Sequence, residues 1–198
     1  MINVMSKLNR KIYLACSGGV DSMAALHFLS RNHQVHVLHF NHGTEYGEAA
    51  MRHVVDYCTE REIDYSVGHI HSVRELRESL EEYWRRERYE FFESFTDSQI
   101  ITCHTLDDCV ENWIWTSLNG QPKLIPQFRG NFVRPFLTTR KGEFISWAQR
   151  NNLKWIEDLS NYDTRFTRNY IRHKLIPHAL NVNPGLYKTI KKRVENDS

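Results

Sequence analysis

Short apolar segments alternate with longer amphipathic ones through the first two thirds of the chain. Each of four compact apolar segments predicts a β-strand, and each is followed by apolar residues at helical spacing. The predicted strands are Ile12–Cys16, Val35–Phe40, Tyr65–Ile70 and Gln99–Cys103. The predicted helices are Asp21–Ser30, Glu45–Arg61, Glu75–Phe95 and Asp107–Leu118. This alternation favours parallel strands, because each crossover helix covers a face of the sheet.

The order of these elements predicts an α/β fold with a doubly wound, mainly parallel, Rossmann-like sheet over residues 1–132. After Gly120 the pattern changes, and residues 121–131 indicate a loop because they contain two prolines and a glycine. A short strand is predicted at Val133–Leu137, and helices at Arg140–Arg150 and Arg168–Leu180. We therefore expect a small helical C-terminal extension over residues 133–198.

The composition is that of an ordinary globular chain. Of 198 residues, 40% are hydrophobic and 25% charged, which excludes collagen-like and largely disordered proteins. The 26 Lys and Arg nearly balance the 24 Asp and Glu, so any nucleic-acid binding must depend on local charge. The four cysteines form no CxxC pair, and no segment approaches the roughly 20 apolar residues that span a bilayer. We expect a cytoplasmic protein without membrane contact.

The most distinctive motif, Ser17-Gly18-Gly19-Val20-Asp21-Ser22, lies between the first predicted strand and the first predicted helix. Its glycines allow a tight turn that brings backbone N–H groups near an anion, and the helix N-terminus adds unpaired N–H groups. It is not a Walker A loop, because the chain contains no GxxxxGK[ST]. A carboxylate beside phosphates requires a divalent cation, so Asp21 is a candidate Mg²⁺ ligand. The alternative is a simple turn in which Asp21 complements the helix dipole.

A second polar motif follows the fourth predicted strand. Thr105 and Asp108 have capping-box spacing, and Asp108 shares a helix face with Glu111. Such a face can hold Mg²⁺ or an ammonium group, or it can merely complement the helix dipole. Arg168 and Arg172 are four residues apart, so they point the same way from one helix and can neutralise phosphate oxygens or form an ordinary basic surface.

The hexapeptide resembles the SGGxDS signature of the N-type ATP pyrophosphatases, or PP-loop superfamily, whose members cleave ATP between its α- and β-phosphates. Three further blocks resemble the tRNA(Ile)-lysidine synthase family. They are Arg86-Glu87-Arg88-Tyr89 with Phe92 (RxxRYxFF), residues 103–112 (HHxDDxxET), and residues 133–137, 155–163 and 168–172 (RPLL…WxEDxSNxD…RNxxR). Asn41, Asn112 and Leu159 depart from the usual family residues. The blocks correspond to the family's catalytic domain only, without the C-terminal domains that help many members hold tRNA.

The resemblance implies a reaction and a set of site residues. With ATP and Mg²⁺, the wobble cytidine of an isoleucine tRNA anticodon loop is adenylated at its carbon-2 oxygen, and free L-lysine then replaces that oxygen to form lysidine. ATP is expected on residues 17–22 and Mg²⁺ on Asp21. The implied catalytic residues are Asp21, Asp108, Arg168 and Arg172, with lysine at Asp108 and Glu111 and tRNA at Arg86, Arg88 and Arg172.

Two other functions remain open on the sequence. A tRNA thiolase of the same superfamily shares the adenylation step, but such enzymes commonly carry CxxC pairs, which this chain lacks. A catalytically idle tRNA-binding module needs no acidic residues beside phosphates. The arginines of residues 85–88 either contact RNA or form a solvated, salt-bridged helix face. A homodimer that widens the RNA footprint is a further hypothesis.

Overall fold

A six-stranded sheet with the order β3-β2-β1-β4-β6-β5 forms the centre of the fold. The structure, a computed structural model, describes residues 1–197. The strands are β1 (Lys11–Ala15), β2 (Gln34–Asn41), β3 (Tyr65–His69), β4 (Gln99–Ile101), β5 (Phe128–Arg129) and β6 (Phe132–Val133). All neighbours pair in parallel except β5 with β6. The predicted doubly wound, mainly parallel fold is confirmed.

Helices cover the sheet and build the C-terminal part of the chain. They are α1 (Val20–Leu29), α2 (Glu45–Glu60), α3 (Leu80–Glu93), α4 (Leu106–Leu118), α5 (Lys141–Arg150), α6 (Thr167–Tyr170), α7 (Ile176–Val182) and α8 (Leu186–Asn196). A π-helical turn at Ile171–Leu175 joins α6 to α7, and a 3₁₀ turn spans Leu159–Tyr162. Within residues 1–197, no helix is both long enough and apolar enough to cross a bilayer.

The direction of winding reverses between β1 and β4. The chain proceeds from β1 outward to β2 and β3, and later returns to place β4 and β6 on the other side of β1. The loops that follow β1 and β4 therefore lie side by side at the carboxyl ends of the two strands. This is the switch point at which doubly wound sheets bind their ligands.

Apolar packing fixes the helices around this edge. On one face of the sheet, the fully buried Met23 of α1 belongs to the same apolar cluster as Phe144 of α5. In the C-terminal part, α8 buries Leu186, Ile190 and Val194 in a cluster with α4 and the π-helical turn. These three residues recur every four positions, which is the spacing of one helix face.

Four predicted elements differ from the structure. The single helix predicted at Arg168–Leu180 is divided into α6 and α7 by the π-helical turn at Ile171–Leu175. The helix predicted from Glu75 begins at Leu80, because Ser79 and Glu82 form a capping box. The predicted loop at residues 121–131 contains the edge strand β5. The strand predicted at Val133–Leu137 is limited to Phe132–Val133, and the Pro135 that follows has no N–H for the ladder. The division of the chain at residue 132 stays a prediction.

A buried carboxylate fastens α3 to the segment that precedes it. Glu87 is fully buried and accepts hydrogen bonds from the backbone N–H groups of His71 (3.0 Å) and Ser72 (3.2 Å). Arg86 donates to the same carboxylate at 2.8 Å. Burial alone would raise the pKa of Glu87, but the Ser72 hydroxyl and the two backbone N–H donors lower it to about 2. Glu87 is therefore ionised and structural.

Candidate active site

An open cavity of about 840 Å³ lies at the carboxyl ends of the strands. Its size is within the range of small-molecule sites in proteins. The loops after β1, β2 and β4 contribute to its walls, together with α3, the start of α5 and residues 155–162. Charged side chains from several elements meet there, among them Asp21, Arg85, Arg88, Asp108, Lys141 and Arg172.

The loop from Ser17 to Ser22 has a backbone shape that only glycine fits well. Gly18 has φ +83°, and a Cβ there would lie 3.1 Å from the Cβ of Ala50 on α2. Gly19 is the N-cap of α1 and has no side chain to cap the first N–H groups of the helix. The Ser22 hydroxyl donates to the Gly19 carbonyl at 3.0 Å and accepts from the Ser17 N–H at 3.2 Å. The loop is thus held in one conformation beside an uncapped helix N-terminus, an arrangement suited to an anion.

Asp21 lies in the first turn of α1 and is mostly buried, with 24% of its side chain exposed. Its Oδ1 is buried without a hydrogen-bond partner, and its Oδ2 lies 3.5 Å from the Lys141 ammonium. Burial raises the pKa of Asp21 to about 6, Lys141 opposes this shift, and the nearby Asp108 adds to it. An unpartnered carboxylate oxygen of this kind fits the oxygen coordination that Mg²⁺ requires.

Asp108 and Asp107 hold the opposite wall together. Asp108 Oδ2 accepts from the Thr105 N–H at 2.7 Å, and Thr105 caps α4, so the predicted capping box is confirmed. Asp108 Oδ1 faces Arg172 at 3.5 Å. Asp107 accepts from the backbone N–H of Lys141 at 2.7 Å, which fixes the start of α5 against α4. The capping role and a role in the cavity are therefore compatible for Asp108.

Glu111 lies beneath the cavity rather than on its wall. It is 2% exposed, and its Oε2 accepts from the Nε (3.1 Å) and Nη2 (2.8 Å) of Arg172. Burial raises the pKa of Glu111, and Arg172 opposes part of that shift. Arg168 lies 3.6 Å from the other oxygen but does not line the cavity. Of the predicted pair Asp108 and Glu111, only Asp108 is presented to a ligand; Glu111 holds Arg172 in place.

The arginines of α3 divide between two roles. Arg86 donates to Glu78 at 3.1 Å and to Glu87, so its guanidinium is engaged in ion pairs outside the cavity lining. Arg85 and Arg88 line the cavity instead. Among the described residues Arg88 forms no ion pair, and burial lowers its pKa. The RxxRY spacing itself fits Arg85 and Arg88, three residues apart, and this was the signal that Arg85 belongs to the motif.

One other group at the cavity, Lys141, was missed in the sequence. Lys141 is the first residue of α5, where the helix dipole disfavours a cation, and this unusual position was its only signal. His42 also lines the cavity and packs against Trp84, with ring centroids 5.1 Å apart and the rings tilted by 33°, and burial lowers the pKa of His42 to about 4. His42 is therefore neutral at physiological pH, and no sequence pattern joins it to Trp84.

Comparison with known proteins agrees with this arrangement. The chain is 32% identical over 200 residues to the tRNA(Ile)-lysidine synthase of Legionella pneumophila (strain Paris), an alignment that covers 92% of this chain and 46% of the relative. It is 29% identical to the tRNA(Ile)-lysidine synthase of Coxiella burnetii, covering 85% and 41%. It is also 32% identical to the bifunctional protein TilS/HprT of Listeria innocua, covering 95% and 32%. The chain thus spans less than half the length of these relatives.

A solved structure and a family description agree on the fold. The NH3-dependent NAD synthetase from Campylobacter jejuni, in complex with the nitrate ion, matches with a TM-score of 0.55 and 16% identity over 97% of this chain and 86% of that one. At that identity the likeness concerns the fold alone. The family described as PP-loop domain matches residues 2–179, which include the glycine loop, the Asp108 wall and Arg172. The chain therefore belongs to the PP-loop domain family.

Proposed function

We propose that this protein is an ATP-dependent tRNA-modifying enzyme that converts the wobble cytidine of an isoleucine tRNA anticodon to lysidine. The observation that carries the proposal is the meeting of three features in one cavity. These are the anion-binding glycine loop, the unpartnered oxygen of Asp21, and Asp108 beside Arg172. The identity of the substrate rests on the names of the relatives.

Activation of the base comes first in the proposed reaction. Residues 17–22 and the N-terminus of α1 bind the phosphates of ATP, and Asp21 is the group that would hold Mg²⁺. Bound Mg²⁺ would neutralise phosphate charge and make pyrophosphate a better leaving group. The carbon-2 oxygen of cytidine attacks the α-phosphorus, the bond to the β-phosphate breaks, and pyrophosphate leaves. Arg88 and Lys141 reach the same cavity and can neutralise charge on the transferred phosphoryl group.

Replacement of the oxygen by lysine follows. The ammonium of free lysine must lose a proton, because only the neutral amine is a nucleophile. Asp108 is a cavity-facing carboxylate that can bind the ammonium and accept that proton. The amine then attacks carbon 2, and AMP leaves with the former base oxygen. Arg172, held by Glu111, lies near enough to Asp108 to stabilise its charge and to contact a phosphate.

The thiolase alternative finds no support at the cysteines. The four cysteines are unpaired, and Cys103 is the only one that is partly exposed. Burial raises the pKa of Cys103 well above its usual range, so it is a poor nucleophile. An idle tRNA-binding module does not account for a glycine loop next to an unpartnered buried carboxylate. Cytoplasmic location and a homodimer stay predictions.

The test is an incorporation assay with purified protein, ATP, Mg²⁺, labelled lysine and bulk tRNA. We expect labelled lysine in acid-insoluble RNA and one pyrophosphate released for each lysine incorporated. Pyrophosphate release without lysine in RNA would show that the enzyme adenylates its substrate but uses a nucleophile other than lysine. No tRNA-dependent pyrophosphate release at all would refute an adenylating enzyme.

A matched pair of variants connects the assay to the site. Asp21→Asn removes the charge proposed to hold Mg²⁺. We expect pyrophosphate release to fall at least about 100-fold, because the ion held there would neutralise charge on the transferred phosphates. Asp56→Asn makes the same change at an exposed position on α2, and its activity should equal that of the original protein. Equal activities in both variants would exclude Asp21 from the reaction.

A further inference from the structure

A row of four rings continues from the mouth of the cavity along the helical segment that contains α6. Phe166 and Tyr170 are four residues apart on this segment, and His173 follows three residues later, which are the spacings that place side chains on one side of a helix. Tyr162 stacks on His173 with centroids 5.8 Å apart and an interplanar angle of 22°. We call these four residues the aromatic row.

The row is exposed although it is rich in apolar surface. Tyr162 is 58% exposed, Phe166 57% and Tyr170 48%. Asn169, on the other side of α6, is buried and donates to the carbonyls of Ser160 and Asp163, which fixes the 3₁₀ turn against the helix. The rings are thus held outward by a rigid backbone. Exposed rings on a rigid support are suited to stacking on a flat ligand.

The segment that carries the row is basic. From Arg165 to Val182 the chain contains four Lys and Arg and no Asp or Glu, and of these Arg165 pairs with Asp163 and Arg168 with Glu111. Lys174 is exposed, and Arg168 is 55% exposed beside the row. The side chains of Tyr162 and His173 also line the cavity, so the row is continuous with the proposed site of chemistry. A ligand that reaches the cavity along this segment meets rings for its flat groups and cations for its phosphates.

We propose that the aromatic row stacks the unpaired bases of the RNA substrate and leads the target base into the cavity. The inference rests on the proposed function, because it takes the substrate to be RNA. Single-stranded nucleic acids are bound by this combination of aromatic rings and a cationic border, and duplexes are not, because their bases are already stacked. A second copy of this chain is the other candidate occupant of an exposed apolar row, and the experiment distinguishes the two.

The experiment compares two double variants. Phe166→Ala with Tyr170→Ala removes two exposed rings, and Phe166→Tyr with Tyr170→Phe keeps both. The probes are a fluorescent, unstructured 12-nucleotide RNA and the same RNA annealed to its complement, with affinity measured by anisotropy. We expect the alanine pair to bind the single strand at least about 10-fold more weakly for each lost ring, since a stacked base contributes that order of affinity. The ring-exchange pair should bind like the original protein.

Several results would overturn the inference. One is an unchanged affinity of the alanine pair for the single strand, and another is an equal loss of affinity for the single strand and the duplex. The third is a sizing column on which the original protein and the ring-exchange pair elute as dimers and the alanine pair as a monomer. Titration of ATP confirms that the alanine pair retains its fold, because neither ring touches the glycine loop. The lysine assay is run on the same samples. Ring-dependent RNA binding without lysine incorporation refutes the lysidine proposal and keeps this one, whereas full incorporation at an unchanged KM for tRNA does the reverse.

Discussion

Asp21→Asn is expected to stabilise the ligand-free protein while it abolishes the chemistry. In the folded protein Asp21 has a pKa of about 6 because it is buried, against an ordinary value of 3.8. Ionisation of the Asp21 carboxyl group therefore costs more free energy in the folded protein than in the unfolded chain. A pKa difference of this size corresponds to about 3 kcal/mol, at about 1.4 kcal/mol per pH unit. Asparagine has the same shape and no charge, so the variant should recover most of that free energy at neutral pH.

The sign of the pH dependence follows from proton binding. Between about pH 4 and pH 6 the folded protein holds a proton on Asp21 that the unfolded chain has already lost, so the free energy of unfolding falls as the pH rises. The variant lacks this contribution. The excess stability of the variant should be small near pH 4, grow to pH 6 and stay constant above about pH 7. The lost contact with Lys141 subtracts little, because that ammonium is 39% exposed and can be solvated.

The measurement is urea unfolding followed by circular dichroism at four values from pH 4.5 to pH 7.5, with Asp56→Asn as the control. A variant no more stable than the original protein at pH 7.5, or an excess that is the same at every pH, would refute the reasoning. ATP with Mg²⁺ supplies an independent test. It should raise the Tm of the original protein by binding only the folded state, and it should leave the Tm of Asp21→Asn nearly unchanged.

Three further substitutions test other parts of the structure. Gly18→Ala forces a side chain into a left-handed backbone position against α2, so it should weaken ATP binding at least about 10-fold by calorimetry. The control Gly142→Ala adds a Cβ that meets no atom within 4 Å and should leave ATP affinity unchanged. Equal affinities of the two variants would show that the loop tolerates a Cβ. Glu111→Gln leaves Arg172 without its buried anion and should lower tRNA-dependent pyrophosphate release about 10-fold with ATP affinity unchanged; a normal rate would remove Glu111 from any positioning role. Glu87→Ala deprives buried donors of their acceptor and should cost about 3 kcal/mol of unfolding free energy in urea; a loss below about 1 kcal/mol would contradict the structural role.

Local sequence patterns were sufficient for most of the fold. Alternating strand and helix segments predicted the parallel sheet, and the capping box of Thr105 and Asp108 was readable because its partners are three residues apart. Elements that depend on a distant partner were harder to predict. The two-residue strand β5 has no pattern of its own and exists because β6 lies beside it. The start of α3 was misplaced because charged residues before Ser79 also suit a helix, and only the cap decides the boundary.

The sequence by itself determined the glycine loop, since its turn and the helix start that follows lie within six consecutive residues. Only the tertiary structure decided which charged groups face the ligand. Asp108 and Glu111 occupy one helix face three residues apart, yet burial and the approach of Arg172 from a segment 61 residues away direct one to the cavity and the other beneath it. Lys141 reaches Asp21 across 120 positions because α5 packs on α1. Contacts between side chains so far apart in the sequence depend on how the helices pack, and the spacing of neighbouring residues does not predict that packing.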